Sequence, residues 1–242
     1  MIGDLRTFFE QTPDEWTVIL QHLRLSFVPV VAALAIALPL GLYIGHARRF
    51  EFVTVTLANL GRAIPSFAIL SLALIVVIRA GIEDFGFWST FVALFFLSLP
   101  PIVVNTYTGV KNVDQDLIEG ARGQGLSSRQ ILTKVEIPLA APLIVAGART
   151  AAVQSVATAT LGALVAAGGL GSYIVLGFRA ADDPSLVGGA LLVALLAVGT
   201  EIVFALIERL VRPKGASARK KVSPIESVAQ VRQPPPGFSI GS

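Results

Sequence analysis

Residues 112–138 read NVDQDLIEGARGQGLSSRQILTKVEIP, a polar stretch lying between two strongly apolar halves of the chain. Asp114 stands where a side-chain oxygen would cap a short helix, and Leu117, Ile118 and Ala121 give that helix one apolar face. Gly123 and Gly125 end it, and Gly125 can enter the left-handed conformation that closes a helix at little steric cost. Ser127 followed three positions later by Gln130 is a capping-box pattern, which starts a second helix through Ile131, Leu132 and Val135. Pro138 is expected to break or redirect that helix before the next apolar run. Two short helices around a glycine turn make a knob suited to a groove on a soluble partner.

The surroundings of this stretch are those of a membrane protein. Of 242 residues 54% are hydrophobic and 14% charged, and the mean hydropathy is +0.73. That excess of apolar surface points to a bilayer as the solvent. With no cysteine, disulfides, thiolate catalysis and cysteine-ligated metals are excluded. His22 and His46 are far apart in sequence and have no ligand-like neighbours, so neither a metal site nor a catalytic site is expected.

A helix needs about 20 apolar residues to cross the hydrocarbon core. Five runs qualify approximately: 27–45, 64–78, 87–104, 143–167 and 186–207. The expected fold is an all-α integral membrane protein with about five transmembrane helices. Arg48, Arg49, Arg62, Lys111, Arg122, Arg129 and Lys134 fall on one side, with Arg209, Arg212, Lys214, Arg219, Lys220, Lys221 and Arg232 of the tail. The other side has Arg6, Arg24, Arg79 and Arg179 among acidic residues. The positive-inside rule then puts the N-terminus outside and both the C-terminus and loop 112–138 in the cytoplasm. The basic residues follow topology, so no nucleic-acid partner is implied. Residues 1–26 are expected to form an external amphipathic segment, 27–211 the transmembrane domain, and 212–242 a disordered cytoplasmic tail. Residues 51–61 are expected along the inner interface, before Ile64-Pro65 turns the chain into the bilayer. No cleavable signal is expected, because the first apolar run follows the acidic stretch 10–15.

Glu119-Gly120-Ala121, Gly125 and the closing Ile137-Pro138 resemble the EAA signature of type I binding-protein-dependent ABC importer permeases. That signature runs Glu-Ala-Ala, three residues, Gly, nine residues, Ile, any residue, Leu, Pro. Glu119, Ala121, Gly125 and Pro138 are in register, while Gly120, Val135 and Ile137 replace Ala, Ile and Leu. Further stretches resemble the branch that imports glycine betaine, carnitine or choline: Asn105 to Val110, Gly147 to Ala152, Thr158 to Leu161, Gly168 to Gly171, and Arg62 to Ser66. The resemblance covers roughly residues 20–210. It implies that the loop is a coupling helix seated on an ATP-binding cassette ATPase subunit. It also implies an extracytoplasmic solute-binding protein, a second permease copy or paralogue, surrounding membrane lipid, and a bacterial inner-membrane location. The chain has no phosphate-cradling Walker A pattern, so ATP and Mg are expected on the partner ATPase and no cofactor on this chain.

Several residues have two readings. Arg149, inside a span, costs on the order of 3 kcal/mol if left against lipid. Snorkelling or pairing within the bundle is the preferred reading, with a place on the translocation path as the alternative. Glu201 is read as a partner for Arg149 or an interhelical contact, and alternatively as an attractor of a quaternary ammonium. Gly168, Gly169 and Gly171 lack the lysine of a phosphate loop and read as a tight outer turn, a candidate outer gate. Phe85, Phe87, Trp88, Phe91, Phe95 and Phe96 read as an interfacial belt facing lipid. No catalytic residue is expected. The function implied is ATP-driven osmoprotectant import by alternating access, with an amino-acid permease or an ion-coupled transporter as alternatives.

Overall fold

The computed structural model describes residues 15–48, 56 and 64–212. Residues 1–14, most of the expected interfacial segment 51–61, and 213–242 of the expected tail lie outside the described residues. The chain divides into Met1–Val211 and Arg212–Ser242, and of the second unit only Arg212 is described. The described residues are all-helical. In order they are α1 (Glu15–Ala47), α2 (Ser66–Arg79), α3 (Phe85–Lys111), α4 (Gln115–Gly123), α5 (Ser128–Ile131), a π turn (Leu132–Glu136), α6 (Ile137–Thr158), a 3-10 segment (Ala159–Val165), α7 (Gly171–Ala180) and α8 (Asp183–Val211).

Four of these are long and apolar enough to cross a bilayer: Trp16–Ala47, Phe85–Lys111, Ser128–Val165 and Asp183–Val211. The run expected at 64–78 is a helix of 14 residues. At 1.5 Å per residue it spans about 21 Å, against a hydrocarbon core of about 30 Å. Pro65 occupies its N-cap with φ −59° and ψ 127°, so this proline starts the helix as expected.

Two boundaries differ from the expectation. There is no break at 26/27: α1 runs unbroken for 33 residues from Glu15, so 15–26 continue the first apolar run and do not form a separate segment. Backbone polar groups in an apolar medium must pair internally, and extending the helix achieves this. Nor does Pro138 break its helix. The chain passes from α5 through the π turn into α6, with Pro138 near the first position of α6. A proline normally collides with the carbonyl four residues back and leaves it without a donor. The widened π turn relaxes that conflict, so the fourth apolar run continues the second loop helix directly.

The core centres on α3, which packs against α1, α2, α6 and the 3-10 segment. Close approach depends on small residues. A Cβ at Gly41 of α1 would come within 2.7 Å of Thr106 Cβ, and one at Gly147 of α6 within 2.8 Å of Pro101 O. In an apolar medium such backbone proximity, more than differential burial, holds helices together. Val30, Ala33, Ala37, Ile102 and Ala151 fill the junction of α1, α3 and α6. Buried hydroxyls turn back on their own helices: Ser26 donates to His22 O (2.7 Å), Thr90 to Gly86 O (2.8 Å) and Thr200 to Leu196 O (2.8 Å). Ser98 and Ser155 meet across α3 and α6 at 3.1 Å.

Phe87 corrects the picture of an aromatic belt. It is buried, and Arg24 lies 4.5 Å above its ring, so it belongs to the core. Trp88 and Phe96 are exposed as expected, each edge-on to a neighbour, Phe91 and Phe95 respectively, and those two rings stack on one another.

Candidate functional site

Loop 112–138 has the local structure its residues dictate. The Asp114 carboxylate accepts from Asp116 N at 3.1 Å at the start of α4. At its end, Leu126 N–H donates to Ala121 O (3.1 Å) and Gly125 N–H to Arg122 O (2.9 Å), with Gly125 at φ +82°. This is the Schellman closure, and the positive φ is why glycine stands there. Ser127 N–H donates to Gln130 Oε1 (2.8 Å) and Gln130 N–H to Ser127 Oγ (3.4 Å), completing the capping box of α5.

Val113, Ile118, Ala121 and Ile131 form a small core under the loop, with Leu126 and Val135 against it. Burying each larger aliphatic side chain contributes about 1.5–3 kcal/mol, enough to hold so short a pair of helices in one shape. Leu117 is the exception to the expected apolar face. It is 53% exposed, because the buried side of α4 is taken by Ile118 and Ala121. Glu119 is also exposed, and a Cβ at Gly120, Gly123 or Gly125 would meet nothing within 4 Å. Away from this core α4 is therefore open to solvent, with the apolar Leu117 on one flank and the Glu119 carboxylate on the other.

Polar contacts tie the loop to the end of α1. His46 Nδ1 lies 2.5 Å from Glu136 Oε2, and His46 Nε2 lies 2.7 Å from Ser128 Oγ. Glu136 is 2% exposed, and a buried carboxylate is stable only with a partner of this kind. The Gln115 carboxamide of α4 also meets the Arg48 guanidinium just beyond α1. Sequence reasoning missed this group: His46 and Glu136 are 90 positions apart, and no spacing rule joins them. The available signal was a carboxylate set between two apolar neighbours, Val135 and Ile137.

At the other end of α1 a second anchor holds the glycine turn. Gln21 Nε2 donates to Ala167 O (3.1 Å), and Gly169 N–H donates to Gln21 Oε1 (3.1 Å). His22 is fully buried, with Nε2 3.0 Å from Val156 O. Gly168 and Gly169 have φ of +76° and +74°, and Gly171 lies directly against the Thr160 backbone. The expected tight turn is present, and it is clamped on α1.

Between the two ends, Arg149 on α6 meets α8. Its Nη1 lies 3.5 Å from Glu201 Oε1 and 3.2 Å from Glu208 Oε2. The Arg149–Glu201 pair is thus brought together, and Glu208 joins it. That second carboxylate was legible, since positions seven apart share a helix face. Glu201 remains 49% exposed in the single chain.

A helical bundle with several bilayer-length helices, crossed by a capped and open-faced polar loop, is a multi-pass membrane component. More specifically, the chain belongs to the family of binding-protein-dependent transport system inner membrane components, which matches residues 37–213. It is 37% identical over 203 residues to the glycine betaine/carnitine/choline transport system permease protein OpuCB of Bacillus subtilis, covering 84% of this chain and 91% of that one. It is 36% identical over 195 residues to the osmoprotectant import permease protein OsmY of Salmonella typhimurium, covering 80% of each. The fold matches the inward-facing methionine ABC transporter MetNI, with a TM-score of 0.69 at 23% identity over 82% of this chain and 96% of that one.

Proposed function

We propose that this chain is the permease subunit of an ATP-driven importer that moves glycine betaine, carnitine, choline or a related quaternary amine across the bacterial inner membrane. The observation that carries the reading is the open face of α4, with exposed Leu117 and Glu119 held over a fixed core, in a chain related to osmoprotectant permeases. ATP and Mg would be held by a separate ATPase subunit, and its closure would push on α4 and α5. A solute-binding protein would deliver the amine at the glycine-turn end.

The direction of the helices favours five crossings. α1 runs from the glycine turn, where Gln21 lies, to the loop, where His46 lies. α3 runs the same way, from Gly86 beside Ala166 and Ala167 down to Lys111 before the loop. The chain between them must return, and α2 is the described helix that lies between them in sequence. Five crossings with the basic loops inside would place the N-terminus outside and the C-terminus in the cytoplasm.

The Arg149–Glu201–Glu208 cluster supports a second permease copy or paralogue. A carboxylate as exposed as Glu201 cannot face lipid without a cost of about 3 kcal/mol. We therefore read this face of α8 as covered by the second permease or by the polar path between the two.

The test is uptake of labelled glycine betaine by proteoliposomes containing the assembled complex. Uptake that requires ATP and is competed by choline or carnitine supports the reading. Competition by methionine or histidine alone would favour an amino-acid permease. Uptake that follows an ion gradient and ignores ATP would contradict the importer altogether.

A further inference from the structure

If loop 112–138 receives force from the ATPase, as proposed for this chain, that force must pass into the rest of the bundle, and the inference drawn from its route rests on that proposal. The loop is joined to the bundle in two ways. One is covalent continuity: α3 enters the loop at Lys111, and the π turn leaves it into α6. The other is the non-covalent tie to α1, made by side chains from α5 and the π turn. Ser128 is the first residue of α5, Glu136 the last of the π turn, and His46 lies in the last turn of α1.

The chemistry of this tie is well suited to carrying displacement. Glu136 is almost wholly buried, and its carboxylate has the His46 ring as its partner. Neutral His46 donates from Nδ1 to Glu136 and accepts from the Ser128 hydroxyl at Nε2. Protonated, it donates to both. The ring is thus fully satisfied in either state, so the link persists whether or not the ring is charged. Pulling Glu136 away would leave a buried carboxylate unpaired, so α1 gains more by following the loop than by separating from it. The π turn ends on Glu136, at a helix irregularity where register can shift. Packing continues up α1: a Cβ at Gly45 would lie 2.7 Å from Val110 Cβ, so the end of α1 is closely fitted to α3 as well.

We infer that His46 and Glu136 are positioning residues for energy coupling: their side-chain bond makes α1 move with the loop, so that a push on α4 and α5 is passed into the bundle through α1. From Gln21 to His46 the helix is about 38 Å long.

The experiment uses the full complex in proteoliposomes and reads solute taken up per ATP hydrolysed. With His46→Ala or Glu136→Leu, uptake per ATP should fall at least tenfold while the ATPase subunit still co-isolates and hydrolyses ATP within about twofold of the parent rate. His46→Asn keeps a donor near the Nδ1 position and should recover much of the ratio. Since the chain has no cysteine of its own, the double variant His46→Cys, Glu136→Cys can be bridged within the isolated permease by a short thiol-reactive linker before the complex is assembled. Bridging should restore the ratio that the unbridged pair has lost. Unchanged uptake per ATP in both single variants, or abolition of uptake by the bridge, overturns the inference. Failure of the ATPase to co-isolate with the unsubstituted permease overturns the coupling reading itself, a result distinguishable from the other two.

Discussion

The two ends of α1 are held by different chemistry. At the glycine-turn end the contacts are neutral: one carboxamide reads a backbone N–H and a backbone C=O, and glycines with positive φ press against it. At the loop end the contact is ionisable, runs side chain to side chain, and lies beneath an open face. Close backbone packing tolerates almost no adjustment, whereas a side-chain bond can be carried along with whatever moves. The first end is therefore built as a fixed point and the second as a point of application.

The largest effect should come from breaking the fixed end. Gly171→Val puts a branched side chain into the Thr160 backbone and should destabilise the protein by about 3 kcal/mol or more, seen as loss of folded material in detergent. If that variant folds normally, the turn is not a fixed point. Next comes Arg149→Met, which removes the cation that Glu201 and Glu208 share. Because the cluster is partly exposed, the cost should be about 2 kcal/mol, below that of a fully buried pair, read as a lowered thermal midpoint in nanodiscs. Gln21→Ala removes two hydrogen bonds at the turn and should cost about 1–2 kcal/mol, with uptake per ATP hydrolysed unchanged. A fall in that ratio instead would make the turn part of the coupling path and blur the distinction. Smallest is Gly120→Ala at the loop end, where a Cβ meets nothing and the helix gains about 0.5–1 kcal/mol. Its thermal midpoint should rise slightly, with transport intact.

The same contrast explains what could be read from the sequence. Loop 112–138 was legible almost residue by residue, because caps, Schellman closures and capping boxes are local and their partners lie within five positions. Pro138 misled, since a proline signals a break unless a neighbouring turn widens, as the π turn Leu132–Glu136 does here. Leu117 misled for a related reason: one apolar side chain too many was assigned to a face that holds two. The anchors at Gln21, His22 and His46 were invisible, because each joins positions more than 80 residues apart. Arg149 was recognised as needing a partner, and its pairing with Glu201 follows from the cost of a lone charge in an apolar medium.

If the ATPase seats on the open face of α4, Glu119 is the residue that tests it, since its side chain is exposed on that face and is not part of the loop's core. Glu119→Lys should leave the folding stability of the permease within about 0.5 kcal/mol of the parent. ATP-dependent uptake of glycine betaine should be lost in the same preparation, with the ATPase either dissociated or hydrolysing ATP to no effect. Uptake at the parent rate, with the ATPase still bound, would contradict seating on this face.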